Sequence, residues 1–264
     1  MLVDGSVILA GGTEVVPQLR DGILEAERLV QIGDVVPRGI DGRGIGAGTT
    51  LAELEADAQI PAVLREACGL SASPQLRAMG TIGGNLLQAT RCWYWRLQYP
   101  CRLHGGTRCF AREGVHREHA IFGNDFCASA HPSDPAAALM ALGTILRTNR
   151  RELPIAELYR LPTDGDRSTT TLEDGELILE LEYEQPLAST YLKAMDRQDW
   201  SFAIVGVAAA RYESGTRLGL AGVAPIPWAL DGAAALEQAT PLPQTAYKVE
   251  IGRASCRERV LTDV

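Results

Sequence analysis

Apolar and polar positions alternate in short blocks along the chain, most of them closed by glycine, proline or aspartate. Ser6–Ala10 is an apolar run ending at Gly11-Gly12, which predicts a strand entering a tight turn. Thr13 stands where it can cap a helix over Glu14–Arg20. Leu29–Ile32 and Gly44–Ala47 read as two further short strands. Thr50 with Glu53 forms a capping-box pattern ahead of a helix at Leu51–Asp57, and Pro61–Gly69 reads as a helix closed by glycine. From Gln88 to His131 the periodicity disappears, and irregular stretches of that length in compact domains are functional or disordered. Pro132-Ser133-Asp134-Pro135 introduces a helix at Ala136–Leu142, then a strand at Thr144–Arg147. After the polar loop Pro162–Thr171, the segments Leu177–Glu184, Thr190–Met195, Phe202–Tyr212 and Arg217–Val223 read as strands, with Ala233–Gln238 helical. The pattern predicts an α+β chain with a domain boundary near Gln185–Ala188 and an antiparallel sheet beyond it.

Composition narrows the function classes. With 46% hydrophobic and 22% charged residues, the 264-residue chain is that of a soluble globular protein. A net charge of −8 without a basic run argues against a nucleic-acid surface. The longest apolar stretches, Ala136–Leu142 and Phe202–Ala210, are too short to span a bilayer. Met1–Gly5 lacks the basic and apolar regions of a signal peptide, so the expected location is cytoplasmic, or periplasmic by co-export with a signal-bearing partner. Glu250 to Val260 reads EIGRASCRERV, similar to the translation of a sequencing-adapter oligonucleotide, and residues 250–264 are read as a non-native tail in which Cys256 carries no weight.

The chemistry concentrates in the irregular stretch. Cys92, Cys101, Cys109 and Cys127 fall within 36 residues of a chain with six cysteines. Disulfides, zinc or an iron–sulfur cluster would each account for such a patch. The spacing C-x8-C-x7-C-x17-C is neither the tight C-x2-C run of bacterial ferredoxins nor a pair of zinc-finger hooks. Cys68 lies on the apolar face of a predicted helix and reads as a small buried hydrophobe. His104, His116, His119 and His131 could each ligate a metal, donate to a ligand sulfur or hold loop structure. Trp93, Tyr94 and Trp95 would shield a cluster or pack against a partner.

Two glycine turns complete the inventory. Ala10-Gly11-Gly12-Thr13 and Thr81-Ile82-Gly83-Gly84-Asn85 each expose backbone N–H groups that suit a phosphate, and together they could clamp a pyrophosphate. Neither is the G-x-G-x-x-G fingerprint, so a Rossmann nicotinamide site is not supported.

The strings ILAGGTEVV, IGAGTTLAELE, SASPQLRAMGTIGGNLLQATRCWYW, HPSDPAAALMAL and YLKAMDRQDWSFAIVGVAAARY resemble the FAD-binding (medium) subunit of molybdenum hydroxylases, the group of xanthine dehydrogenase, carbon monoxide dehydrogenase and bacterial aldehyde oxidoreductase. The resemblance runs from about Val7 to Val249. It implies a two-lobed α+β FAD-binding domain of the vanillyl-alcohol-oxidase (PCMH) type over 1–186, with an iron–sulfur insert at about 88–131, and a small C-terminal domain over 187–249. Typical members carry one further strand and helix at the start and another helix at the end, which are expected to be missing here. By resemblance, Ala10, Gly11, Gly12, Thr13 and Glu14 form the first pyrophosphate turn, Thr81, Gly84 and Asn85 the second, and Ala47 and Pro74 lie beside the cofactor. Asp134 matches an acid on the adenosine or ribose side, and Lys193 a lysine close to the flavin ring. The four patch cysteines match the subset with a [4Fe–4S] cluster, most of all the flavin subunit of periplasmic-type aldehyde oxidoreductases.

The expected function is therefore an FAD and [4Fe–4S] electron-transfer subunit. It would pass electrons from [2Fe–2S] centres on a small partner to FAD and on to an external acceptor, while a large partner holding the molybdenum cofactor oxidises the substrate. No residue of this chain is expected to perform substrate chemistry. The alternatives are a stand-alone flavoenzyme of the same fold and a zinc-stapled assembly subunit.

Overall fold

The computed structural model describes residues 5–197, 199–230 and 232–258. Most of the segment considered for a leader, Met1–Asp4, and the end of the expected tail, 259–264, lie outside the described residues. Strands β1 (Ser6–Leu9) and β2 (Arg28–Gln31) pair in parallel around the helix α1 (Val15–Arg20). Parallel pairing requires this crossover, because a hairpin can join only antiparallel strands. Thr13 does not cap α1: Glu14 occupies the N-cap position, and no side chain caps the helix.

Strands β3 (Ile40–Asp41), β4 (Gly44–Gly46), β5 (Ile145–Thr148), β6 (Glu152–Pro154) and β7 (Ile178–Glu182) form one antiparallel sheet in the order β3-β4-β7-β5-β6. Helices α2 (Leu51–Ala56), α3 (Ala62–Gly69), α4 (Pro74–Met79) and α5 (Ile82–Leu86) follow β4. The Thr50–Glu53 capping box is formed in full. Gly69 is the last residue of α3, and the cap falls on Leu70 in a right-handed conformation, so no left-handed glycine closes this helix. Segment 88–131 holds only one-turn elements, the helices α6 (Trp93–Arg96) and α7 (Phe110–Glu113) and a 3-10 turn at Arg102–His104.

The helix α8 (Asp134–Ala141) starts at Ser133, whose hydroxyl accepts the Ala136 N–H at 3.0 Å. A one-turn helix, α9 (Ile155–Leu158), follows β6. Strands β8 (Ala188–Ala194), β9 (Val205–Tyr212), β10 (Gly215–Ala221) and β11 (Trp228–Leu230) make a second antiparallel sheet in the order β11-β10-β9-β8. The change of sheet thus falls between Glu182 and Ala188. Ala233–Gln238 is a 3-10 helix, and α10 (Tyr247–Glu258) closes the described chain.

Alternation along β9 explains how both faces of the second sheet are covered. Ala208, Ala210 and Tyr212 point to one side and join a core with Leu54, Leu64, Leu139, Leu146 and Leu181. That core therefore runs without a break from the first sheet through α2, α3 and α8 to the second. Val205, Val207 and Ala209 point to the other side, against Ile121, Phe122, Leu236 and Cys256. Cys256 is 1% exposed, so α10 packs as part of this second core from a segment read as a tail. Lys248 anchors the same helix: its ammonium is fully buried and donates to the Glu118 and Gly222 carbonyls, both at 2.9 Å.

Candidate cofactor sites

The two glycine turns are brought together by the end of α4. Gly11 lies so close to it that a Cβ there would fall 1.8 Å from the Met79 carbonyl oxygen, and Gly12 has φ +73. Both positions therefore require glycine. The Thr13 hydroxyl oxygen faces Gly80, 3.4 Å from where a Cβ would stand. Among the described residues, the backbone N–H groups of Gly11, Gly12 and Thr13 find no partner. A run of free N–H groups on a glycine turn is an anion cradle.

The second turn does not expose the backbone N–H groups expected of it, because they are bonded inside the protein. Ile82 N–H donates to Thr49 O at 2.8 Å and Gly83 N–H to the carbonyl of buried Ala47 at 2.9 Å. Thr81 caps α5, its hydroxyl accepting the N–H of exposed Gly84 at 3.2 Å. Asn85 Oδ1 accepts the hydroxyl hydrogen of Ser133, the cap of α8. Pro74, exposed, opens α4 behind Ser73.

Glu14 does not face the turn. Its two carboxylate oxygens pair with Arg91 at 2.5 Å and Arg96 at 2.6 Å, and Gln18 donates to one of them. These arginines flank Cys92 and belong to the insert, so one carboxylate ties the first turn to the cysteine segment. Asp134 and Lys193, expected at opposite ends of a cofactor, are instead paired with each other at 2.8 Å, with side chains 3% and 1% exposed. Lys193 also donates to Leu70 O, and Asp134 takes hydroxyl hydrogens from Tyr191 and Ser71. Burial, with the Asp134 carboxylate beside it, holds the Tyr191 phenol well above its ordinary pKa. In this arrangement the pair is a buried tie between α8 and β8, and neither charge is free for a ligand.

Cys92, Cys101, Cys109 and Cys127 line one apolar recess with Tyr94, Trp95, Leu103 and Phe110. Burial raises the Cys92 thiol to about 11 and the Cys127 thiol to about 12, against the pull of N–H groups from Trp95 and Tyr94 on the first and of Ser129 on the second. At Cys92 and Cys127 the recess therefore favours the protonated thiol until a metal displaces the proton. Among the described residues no three His, Cys, Asp or Glu side chains are gathered tightly enough to share one metal ion. Cys68 is fully buried in α3, and burial pushes its thiol up.

A larger cavity of about 340 Å³ adjoins this recess, lined by Arg91, Cys92, Trp93, His119, Trp200 and Phe202 among others. Cys92 is the one thiol that lines both spaces. The Arg91 guanidinium lies 5.1 Å over the Phe202 ring while pairing with Glu14, so one side chain links the cavity wall to the residue that follows the first glycine turn. The cavity, Arg91 and Arg96 carry no sequence signal as site residues beyond the position of Arg91 next to Cys92.

A family described as the FAD binding domain in molybdopterin dehydrogenase matches residues 3–183. The FAD-binding subunit PaoB of the Escherichia coli K12 aldehyde oxidoreductase is 36% identical over 253 residues, covering 88% of this chain and 79% of that protein. Two solved structures share the fold. A chain of a cyanide-inactivated Cu,Mo-CO dehydrogenase has a TM-score of 0.66 at 23% identity, over 98% of this chain and 89% of its own. A chain of quinoline 2-oxidoreductase from Pseudomonas putida 86 has a TM-score of 0.65 at 17% identity, over 97% and 88%.

Proposed function

This chain belongs to the family of FAD-binding domains of molybdopterin dehydrogenases, and from that premise we propose that it is the FAD and [4Fe–4S] electron-transfer subunit of a molybdenum-cofactor oxidoreductase of the aldehyde oxidoreductase type. A large molybdenum subunit and a small [2Fe–2S] subunit complete the assembly, as a heterotrimer or a dimer of heterotrimers. It works in the cytoplasm, or in the periplasm if exported with a signal-bearing partner. FAD supplies the exchange between one-electron and two-electron carriers. The free N–H groups of Gly11–Thr13, with the Thr13 and Thr81 hydroxyls, suit its pyrophosphate. The cavity beyond Arg91 has the size and aromatic lining of a ligand pocket and suits the ring end.

The observation that carries the iron–sulfur reading is the single recess bounded by all four cysteines. One zinc ion would draw four sulfurs to about 2.3 Å from a single centre. A four-iron cluster instead gives each cysteine its own corner, and four thiols around one recess supply the four ligands it needs. The apolar walls exclude water from the ligand sulfurs.

Anaerobic purification of the full chain, with flavin extraction and metal analysis, tests the reading. About one FAD and about four iron per chain are expected. Flavin with zinc in place of iron would overturn the cluster. Oxidation of an aldehyde or purine by the purified chain alone would overturn its role as a subunit without substrate chemistry.

A further inference from the structure

Three of the four histidines are accounted for by their own surroundings. His104 stacks on Trp95 and meets the Trp95 carbonyl at 2.9 Å. His116 contacts the Ala111 and Gly114 carbonyls through Nδ1 and accepts the Gln244 N–H at Nε2. His131 accepts the Ser133 N–H and meets Tyr159 edge-on. His119 differs: its Nε2 lies 3.2 Å from Cys92 Sγ. Its ring is held edge-on to Trp93 at 5.3 Å, the residue is 3% exposed, and Nδ1 has no partner among the described residues. It also lines the 340 Å³ cavity beside Cys92.

A metal-bound cysteine is a thiolate with no proton to donate. Across the 3.2 Å contact the ring must then be the donor, which places its proton on Nε2. An N–H donated to a ligand sulfur offsets negative charge there and favours the reduced form of the metal group. We propose that His119 is a positioning residue for Cys92, fixing the sulfur that borders the cavity and raising the reduction midpoint of the group that Cys92 binds. The proposal rests on the reading that the four thiols carry an iron–sulfur cluster. The Trp93 contact fixes the ring plane, so the donor stays aimed at one sulfur.

The test uses the full chain, purified anaerobically, with His119→Leu and His119→Gln variants. Iron is measured first, and midpoints then follow from a reductive titration read by electron paramagnetic resonance. His119→Leu should keep the wild-type iron content, with the iron–sulfur midpoint shifted to lower potential and the flavin midpoint unmoved. His119→Gln retains an N–H donor and should recover much of that shift. An unmoved midpoint in iron-replete His119→Leu overturns the proposal, as does equal iron loss in both variants, which would make His119 part of the scaffold alone. A wild-type chain with flavin and no iron overturns the cluster reading itself, and the role of His119 with it.

Discussion

Single side chains in this protein are decided by what buries them. Asp134 and Lys193 form an ion pair almost wholly out of water, with the Tyr191 hydroxyl donating to the other carboxylate oxygen. Removing one partner of such a pair leaves an uncompensated buried charge and costs about 3–5 kcal/mol. Lys193→Met should therefore lower unfolding stability by that order in urea, and Lys193→Met/Asp134→Leu should recover a large part of it. A Lys193→Met protein that unfolds like wild type but releases its flavin would instead return the lysine to the ring. The sequence could not reveal this pair. Two charges 59 residues apart give no periodic signal, and each taken alone looks like a ligand. Local chemistry was legible: the Thr50–Glu53 box, the two glycine turns and the cysteine patch are readable because their partners lie within a few residues or on the backbone.

Elements show the same division. Strands of seven or eight residues, such as β8 to β10, are long enough to be visible in the sequence, whereas β3, β6 and β11 are two or three residues long and too short to show a period. The β5–β6 hairpin owes its geometry to a carboxylate from outside it. Glu176, with its side chain fully buried, takes bonds from Arg151 and from the Thr148 hydroxyl. Burial alone would raise its pKa, but Arg151, the Glu173 backbone and Thr148 outweigh it and hold the carboxyl at about 2. A group whose pKa is depressed by folding stabilises the fold above its unfolded value and loses that contribution as pH falls towards the folded one. Glu176→Gln should melt a few degrees below wild type at pH 7, and the gap should close between about pH 4.5 and pH 2. Equal gaps at pH 7 and pH 2.5, measured by thermal melts, would show that the charge is not what holds the hairpin.

At the scale of the whole molecule, the insert is the part that hydrophobic burial does not explain. Ile121 and Phe122, ahead of its last cysteine, join the second core and hydrogen-bond to Val223, while the stretch before them adds nothing to either apolar cluster. That stretch is joined to the flavin half by Gln98 on the Asp21 carbonyl, by Arg167 on the Arg102 carbonyl, and by Glu14, whose two oxygens are divided between Arg91 and Arg96 on either side of Cys92. If the four thiols carry the proposed iron–sulfur cluster, that one carboxylate makes nutrition a determinant of assembly. Cells grown short of iron would then hold the cysteine segment less firmly, and with it the arginines that grip Glu14 beside the first glycine turn. Such cells should accumulate chains deficient in flavin as well as metal, even when riboflavin is plentiful. Across preparations from graded iron supply, the flavin and iron contents per chain should fall together, and Glu14→Ala should uncouple the two.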